Sequence, residues 1–227
     1  MIILKSTIIN AITIIIGSSI GLLLNRKIPD NIKTIVFQAI GLSTILLGIN
    51  MGLKSTNFIY IIFSVIIGVI IGEFFKLDHK FQIFSENIKH KFKFKDEYFT
   101  EGLISAFLIF CIGSMTIVGA INAGINNDHT LLLTKSILDG FTSIALASTF
   151  GIGVMLSFIP LLIFQGGITI FANFFAKFFS SEIINDLTAV GGIIILALAL
   201  EILNLKKMKL INFLPALVII IIFHIII

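Results

Sequence analysis

The chain has 227 residues, 57% apolar and 12% charged, with a mean hydropathy of +1.13 and a net charge of +4. A soluble domain carries about a quarter charged residues, so too little polar surface is available here to keep a globule in water. A single cysteine, Cys111, and eighteen glycines without a regular repeat exclude disulfide frameworks and collagen-like fibres; an all-α integral membrane protein, one domain over residues 1–227, is predicted.

A helix needs about 20 mainly apolar residues to cross the hydrocarbon core, and eight stretches qualify. The first, Thr7 to Leu24, is preceded only by Lys5 and by no cleavage motif, which predicts a transmembrane helix and not a signal peptide. Asn10 lies near its start. The second and third spans are Ile35 to Leu53 and Phe58 to Phe75. Glycines four residues apart, Gly17 and Gly21, Gly48 and Gly52, Gly68 and Gly72, predict close packing of these helices. Residues 76–98 then form a basic loop in which Leu77, Phe81, Phe84, Ile88 and Phe92 recur at helical spacing among Lys80, Lys89, Lys91 and Lys95. That pattern predicts an amphipathic helix on the inner leaflet, its aromatic face among lipid headgroups and its lysines near anionic lipid; it is the surface of a lipid partner, not of a nucleic acid.

The fourth span, Leu103 to Ile125, carries Cys111, Gly113, Ser114, Thr116, Gly119 and Asn122. The fifth and sixth, Leu133 to Leu156 and Ile159 to Phe178, run almost together. The predicted break is Ser157-Phe158-Ile159-Pro160, because proline disfavours helix in the residue before it and suits the first turn of a new one. Span six holds Gln165-Gly166-Gly167, then Thr169. Adjacent glycines weaken a helix by about 1 kcal/mol each relative to alanine, and an interrupted helix is predicted, its freed backbone groups lining protein or a water-filled cavity. The seventh span is Leu187 to Leu203 and the eighth Leu210 to Ile227. His224, near the outer end of the last, has no second His, Cys or carboxylate at metal-ligand spacing, so it reads as interfacial and no metal site is expected. Glu73, Glu101 and Glu201 fall near cytoplasmic ends, within reach of water or a loop lysine.

Basic loops stay in the cytoplasm. Three loops (after spans one, three and seven) hold twelve of the sixteen lysines and arginines, which predicts eight helices with both termini outside. Merging spans five and six would carry Lys206, Lys207 and Lys209 to the outer face. The chain also resembles itself at an offset of 150 residues: Gly17 meets Gly167, Gln38-Ala39-Ile40-Gly41 meets Thr188-Ala189-Val190-Gly191, and Leu46 meets Leu196. With five more residues inserted, Asn57-Phe58 meets Asn212-Phe213. Spans one to three and six to eight thus form a predicted repeat, and because the copies start five helices apart they run through the membrane in opposite directions, as in secondary transporters.

Ionisable residues inside spans are costly and informative. Asp139 lies more than a turn inside span five, within Lys135-Ser136-Ile137-Leu138-Asp139-Gly140. Lys135 is four residues earlier on the same helical face, so the two can pair. A buried pair that fixes helix packing and a functional site are both compatible with that spacing. Asp139, Lys135, Gln165, Gly166, Ser114, Asn122 and Asn10 are the candidate substrate-binding residues.

Glu101-Gly102, Phe110-Cys111-Ile112-Gly113-Ser114-Met115, Lys135 to Gly140, Gly151-Ile152-Gly153 and Gln165-Gly166, with Thr7-Ile8-Ile9-Asn10 before them and Asn212-Phe213-Leu214-Pro215-Ala216 after, carry a resemblance. In this order and spacing the chain resembles the YqgA/YdfK-type family of bacterial inner-membrane proteins, a domain of unknown function. The resemblance covers essentially the whole chain, departs from the family's pattern at Gly167, implies a multi-pass protein of the bacterial cytoplasmic membrane, and transfers no catalytic residue. The residues themselves favour a secondary transporter or permease of a small polar solute or ion. A passive channel, or an accessory protein of a larger membrane complex, remains open, as does a homo-oligomer. An enzyme is not expected: no phosphate-cradling glycine loop with lysine, no zinc-ligand cluster and no second deep carboxylate beside Asp139 is present. No cofactor is implied.

Overall fold

The computed structural model of the chain describes residues 4–25, 30–91, 98–172 and 180–226. All regular structure among them is helical: α1 (Lys5–Asn25), α2 (Asp30–Gly52), α3 (Phe58–Phe74), α4 (Leu77–Lys91), α5 (Phe99–Cys111), α6 (Ser114–Asn126), α7 (Thr130–Phe150), α8 (Ile152–Leu156), α9 (Phe158–Ile170), α10 (Ser181–Ile202) and α11 (Pro215–Ile226), with a 3-10 turn at Leu210–Phe213 before the last. Four helical runs are long and apolar enough to cross a membrane: α1, α7, the α8–α9 run and α10. The number rises to six if α3 with α4 (bent by 57°) and α5 with α6 (bent by 59°) each count as one span. Gln38–Gly52 and Leu210–His224 are shorter apolar stretches.

The chain divides into two compact units. The first takes Met1–Lys33 and Lys89–Lys177, the second Thr34–Ile88 and Phe178–Ile227.

In the first unit α1 packs along α7 through small residues. A methyl group built on Gly17 would lie 2.2 Å from both the Gly140 carbonyl oxygen and Ser143 Oγ, and one on Gly21 would lie 2.4 Å from the Ile144 carbonyl oxygen. Without a hydrophobic driving force between helices in lipid, such backbone approach is what dispersion and weak polar contacts require. α5 lies against α8, where Gly153 meets the Phe99 carbonyl, and α6 against α9, where Gly124 meets the Thr169 carbonyl.

Three sequence expectations for this unit are corrected. The predicted fourth span is two helices, parted by the extended pair Ile112 (φ −94°, ψ 93°) and Gly113 (φ −179°, ψ 151°). The Thr116 hydroxyl donates to the Phe110 carbonyl across the gap at 2.9 Å, satisfying a backbone acceptor that the break would otherwise orphan. Between spans five and six the main break falls at Gly151, ahead of the expected Ser157–Pro160, where only Ser157 parts α8 from α9. Gly151 has φ 77°, a conformation open to glycine at little cost, and it ends α7. Pro160 is the third residue of α9, where its missing N–H removes little. Finally, α9 runs unbroken through Gln165-Gly166-Gly167. The cost of two glycines is small beside the need to satisfy backbone groups in an apolar setting, and a continuous helix meets that need.

At the start of α7 the exposed Asp128 accepts from the Thr130 amide at 3.0 Å. The amide and hydroxyl of Thr130 hold its carboxyl below the usual carboxylate range.

In the second unit α3 packs on α11. A methyl group on Gly68 would meet the Ala216 backbone at 2.4 Å, and one on Gly72 the Asn212 carbonyl at 2.2 Å. α2 meets α10 where Gly48 faces Gly192 and Leu196. The packing role expected of the paired glycines holds for Gly17, Gly21, Gly48, Gly68 and Gly72. The amphipathic segment is the helix α4; Leu77, Phe81, Phe84 and Ile88 lie in it, and Phe92 lies outside the described residues.

Candidate functional site

Three helices of the first unit bring polar side chains to one place. On α7, Lys135 and Asp139 stand one turn apart, and their side chains are each 8% exposed. On α1, Thr7 and Asn10 share a face with Ala11, Ile14 and Gly17, and all of Thr7, Asn10, Ala11 and Ile14 are buried. On α9, Gln165 and Thr169 are one turn apart and buried. The close approach of α1 to α7 at Gly17 and Gly140 lets short side chains such as Asn10 reach across.

The result is one connected network. Lys135 Nζ pairs with Asp139 Oδ2. Asn10 Nδ2 donates to the same oxygen at 2.9 Å and to Gln165 Oε1 at 3.2 Å. Gln165 Nε2 donates to Thr7 Oγ1 at 3.1 Å, and the Thr169 hydroxyl donates to the Gln165 carbonyl at 2.9 Å. The Lys135 ammonium lies 5.9 Å from the centre of the Phe110 ring, within cation–π range. Toward the start of α1, Ser6 Oγ and His129 Nδ1 are 2.9 Å apart. One polar atom of the network is unmatched: Asn10 Oδ1 is buried and has no hydrogen-bond partner among the described residues. The amide orientation is fixed by its neighbours, because turning it over would set Oδ1 against two acceptors.

The sequence-derived residues divide accordingly. Asp139, Lys135, Asn10 and Gln165 are brought together. Gly166 faces α1, where a methyl group would sit 3.7 Å from Leu4 and 3.9 Å from Thr7. Asn122 uses its main-chain carbonyl to close the end of α6, accepting from Asn127 and Asp128, and no side-chain bond links it to the network among the described residues. The Ser114 side chain lies outside what the structure describes. Thr7 completes the network and was not singled out as a binding residue, its helical spacing from Asn10 being the available signal, while the Thr169 hydroxyl bonds only the main-chain carbonyl of Gln165.

The second unit holds two further polar clusters. At the α3–α4 corner, Glu73 accepts from Lys209 Nζ at 2.6 Å and from Asn212 Nδ2 at 2.7 Å. The Asp78 amide donates to Asn212 Oδ1 at 2.8 Å. Glu73 thus has the loop lysine expected of it. At the other end of α3, Asp186 Oδ2 accepts from His224 Nε2 at 2.7 Å and from Asn57 Nδ2 at 3.3 Å. The reading of His224 as a solitary interfacial residue is therefore corrected: its side chain is 12% exposed and its partner's 2%. Thirty-eight residues and a helix change separate the two, so no spacing rule reveals the pair. Among the described residues, no group of three or more His, Cys, Asp or Glu is arranged to hold a metal ion.

Comparison with known proteins agrees with this membrane-helix architecture. The chain is 41% identical over 217 residues to "Uncharacterized membrane protein YdfK" of Bacillus subtilis, covering 94% of this chain and 92% of that protein. It is 30% identical over 214 residues to "Uncharacterized protein YqgA" of Escherichia coli, covering 92% and 91%. No solved structure matches it significantly. The family profile described as "Protein of unknown function (DUF554)" matches residues 5–225, and the chain belongs to that family.

Proposed function

We propose that the protein is a secondary transporter or permease for a small polar solute or ion in the bacterial cytoplasmic membrane, crossing it eight times, with α1–α3 and α9–α11 as an inverted repeat. The observation that carries this reading is the buried network of Lys135, Asp139, Asn10, Gln165 and Thr7, in which Asn10 Oδ1 is an acceptor without a donor. A pair serving packing alone needs no such group, since an unsatisfied buried acceptor costs about 1–3 kcal/mol. A bound solute or cation supplies the missing partner. The site is one of binding, not of bond-breaking chemistry.

The repeat has structural support of its own. Its first helices, α1 and α9, both belong to the first unit and both contribute to the network; its second and third helices, α2 with α3 and α10 with α11, belong to the second. The matched asparagines Asn57 and Asn212 each precede one of the packed helices α3 and α11. Inverted repeats with a polar site at the bilayer midplane are how many transporters alternate access.

The test is a flux screen in proteoliposomes across inorganic ions, amino acids and organic acids, with and without a proton gradient. Saturable uptake lost in Asp139→Asn/Lys135→Gln supports the reading. Absence of uptake in every arm from monodisperse, correctly inserted protein rejects it, and large single-channel currents assign a pore instead.

A further inference from the structure

Among the described residues three aspartates are buried, Asp78, Asp139 and Asp186, and the last two pair with side chains of different chemistry. Asp139 is paired with a lysine ammonium. Asp186 is paired with an imidazole, and among the described residues His224 is the one basic group bonded to it. Histidine is the side chain whose unperturbed titration falls between about pH 5 and 8. We propose that Asp186, His224 and Asn57 form an exchangeable proton-binding site at one end of the second unit.

The geometry defines where the proton goes. Asp186 Oδ2 already accepts from Asn57 Nδ2, and His224 Nε2 sits 2.7 Å from the same oxygen, so Nε2 carries a hydrogen toward it. The site's exchangeable proton is then taken up at Nδ1. Uptake turns a neutral imidazole beside a carboxylate, net −1, into an imidazolium–carboxylate pair of net zero. In a nearly closed, apolar setting, that change of net charge is a large part of the cost of burying the carboxylate. Asn57 keeps a donor on Oδ2 in both states.

Among the described residues, other titratable groups at this end are few. From α3, Tyr60 presents its ring edge-on to the His224 ring, with centroids 6.1 Å apart. Glu182, a turn before Asp186 on α10, and Lys54, just past α2, are exposed. The site stands apart from the network at Asp139 and does not rest on the transport reading. If transport is found, Asp186–His224 is where a coupled proton is held.

The chain has four histidines, and His79, His90 and His129 lie outside this pair. The variant His79→Gln/His90→Gln/His129→Gln therefore leaves His224 as the one imidazole, without touching the site. Ring ¹⁵N resonances of this protein, labelled with ¹⁵N-histidine in lipid nanodiscs, are followed with pH. The expected result is a reversible change from the imidazolium to the neutral pattern between about pH 5 and 8, with a midpoint that moves when Asp186→Asn is added. Asn57→Ala, which removes the second donor from the same oxygen, is the companion variant should Asp186→Asn fail to fold. A His224 ring fixed in one protonation state across that range, or a midpoint unmoved in every variant that folds, overturns the proposal. A titrating His224 in a protein that shows no flux leaves this site standing and rejects transport alone.

Discussion

Asp139 and Lys135 show how much one residue's meaning depends on its partner. Each is buried, and each makes the other tolerable. Removing one member leaves an uncompensated charge, which in buried pairs costs about 3–5 kcal/mol, whereas removing both can be close to neutral. Asp139→Asn and Lys135→Gln are therefore each expected to lower thermal stability in detergent strongly, and the double variant to recover most of the loss. A double variant no more stable than the worse single one shows that the network depends on the charges beyond their mutual pairing. Gln165→Ala should cost less, about 1–3 kcal/mol, because it removes one of the two acceptors of Asn10 Nδ2 and the donor to Thr7 Oγ1 but no charge. The same cycle read by flux separates the two roles: a stable double variant that transports normally reduces Asp139 to a packing residue.

At the scale of elements, the glycines sort into those that let helices touch and those that touch nothing. Gly17 has the Gly140 carbonyl and Ser143 Oγ 2.2 Å from where a β-carbon would stand, while Gly167 has nothing within 4 Å and lies inside α9. Gly17→Ala is thus expected to push α1 off α7, lower the melting temperature and loosen the network through Asn10. Gly167→Ala should be neutral or stabilising by up to about 1 kcal/mol, the helix propensity difference. If Gly167→Ala were as damaging as Gly17→Ala, the unbroken α9 would be wrong and the interruption suggested by Gly166-Gly167 right. The contrast explains what could be read from sequence. The four-residue spacing of Lys135 and Asp139 is a property of one helix and is visible at once; Asn10 and Gln165 were found as polar residues in apolar runs. The break at Ile112–Gly113 is invisible because an extended pair held by a threonine hydroxyl leaves no mark on hydropathy. Proline at 160 marks the first turn of α9 after Ser157 but not the sharper break at Gly151, which rests on a positive φ that hydropathy does not show. Asp186 and His224 meet through tertiary packing, which no periodicity encodes.

At the scale of the whole molecule, the number of crossings decides which face each polar cluster serves. Helix length and apolarity alone allow four crossings, or six with each bent pair taken as one. Six crossings with the termini outside, however, place Lys89 and Lys91 and the Lys206–Lys209 segment on the outer face, and six with the termini inside place Arg26, Lys27 and Lys33 there, each against the distribution that retains basic loops in the cytoplasm. Eight crossings, with α2 and α11 as short spans and α7 separated from α9 at Gly151, keep all of them inside. The eight-span reading also sets Glu73 and Lys209 on the inner side and Asn57, Asp186 and His224 on the outer side, where a proton from the exterior would arrive. Both counts are even and leave the two termini together, so labelling the ends at residues 2 and 227 fixes only the side they share, expected to be outside. Interior positions discriminate. Cys111 is the one native cysteine and is fully buried, giving a low background for a membrane-impermeant maleimide on intact cells. Asp128→Cys is expected to react from outside, whereas Asn87→Cys and Leu205→Cys should react only after the inner face is opened. Six crossings with the termini inside give the same three labels and are told apart by the ends, whereas six with the termini outside require the reverse: Asn87→Cys and Leu205→Cys reacting in intact cells and Asp128→Cys protected. That pattern would also turn the Asp186–His224 pair toward the cytoplasm and remove the exterior as the source of its proton.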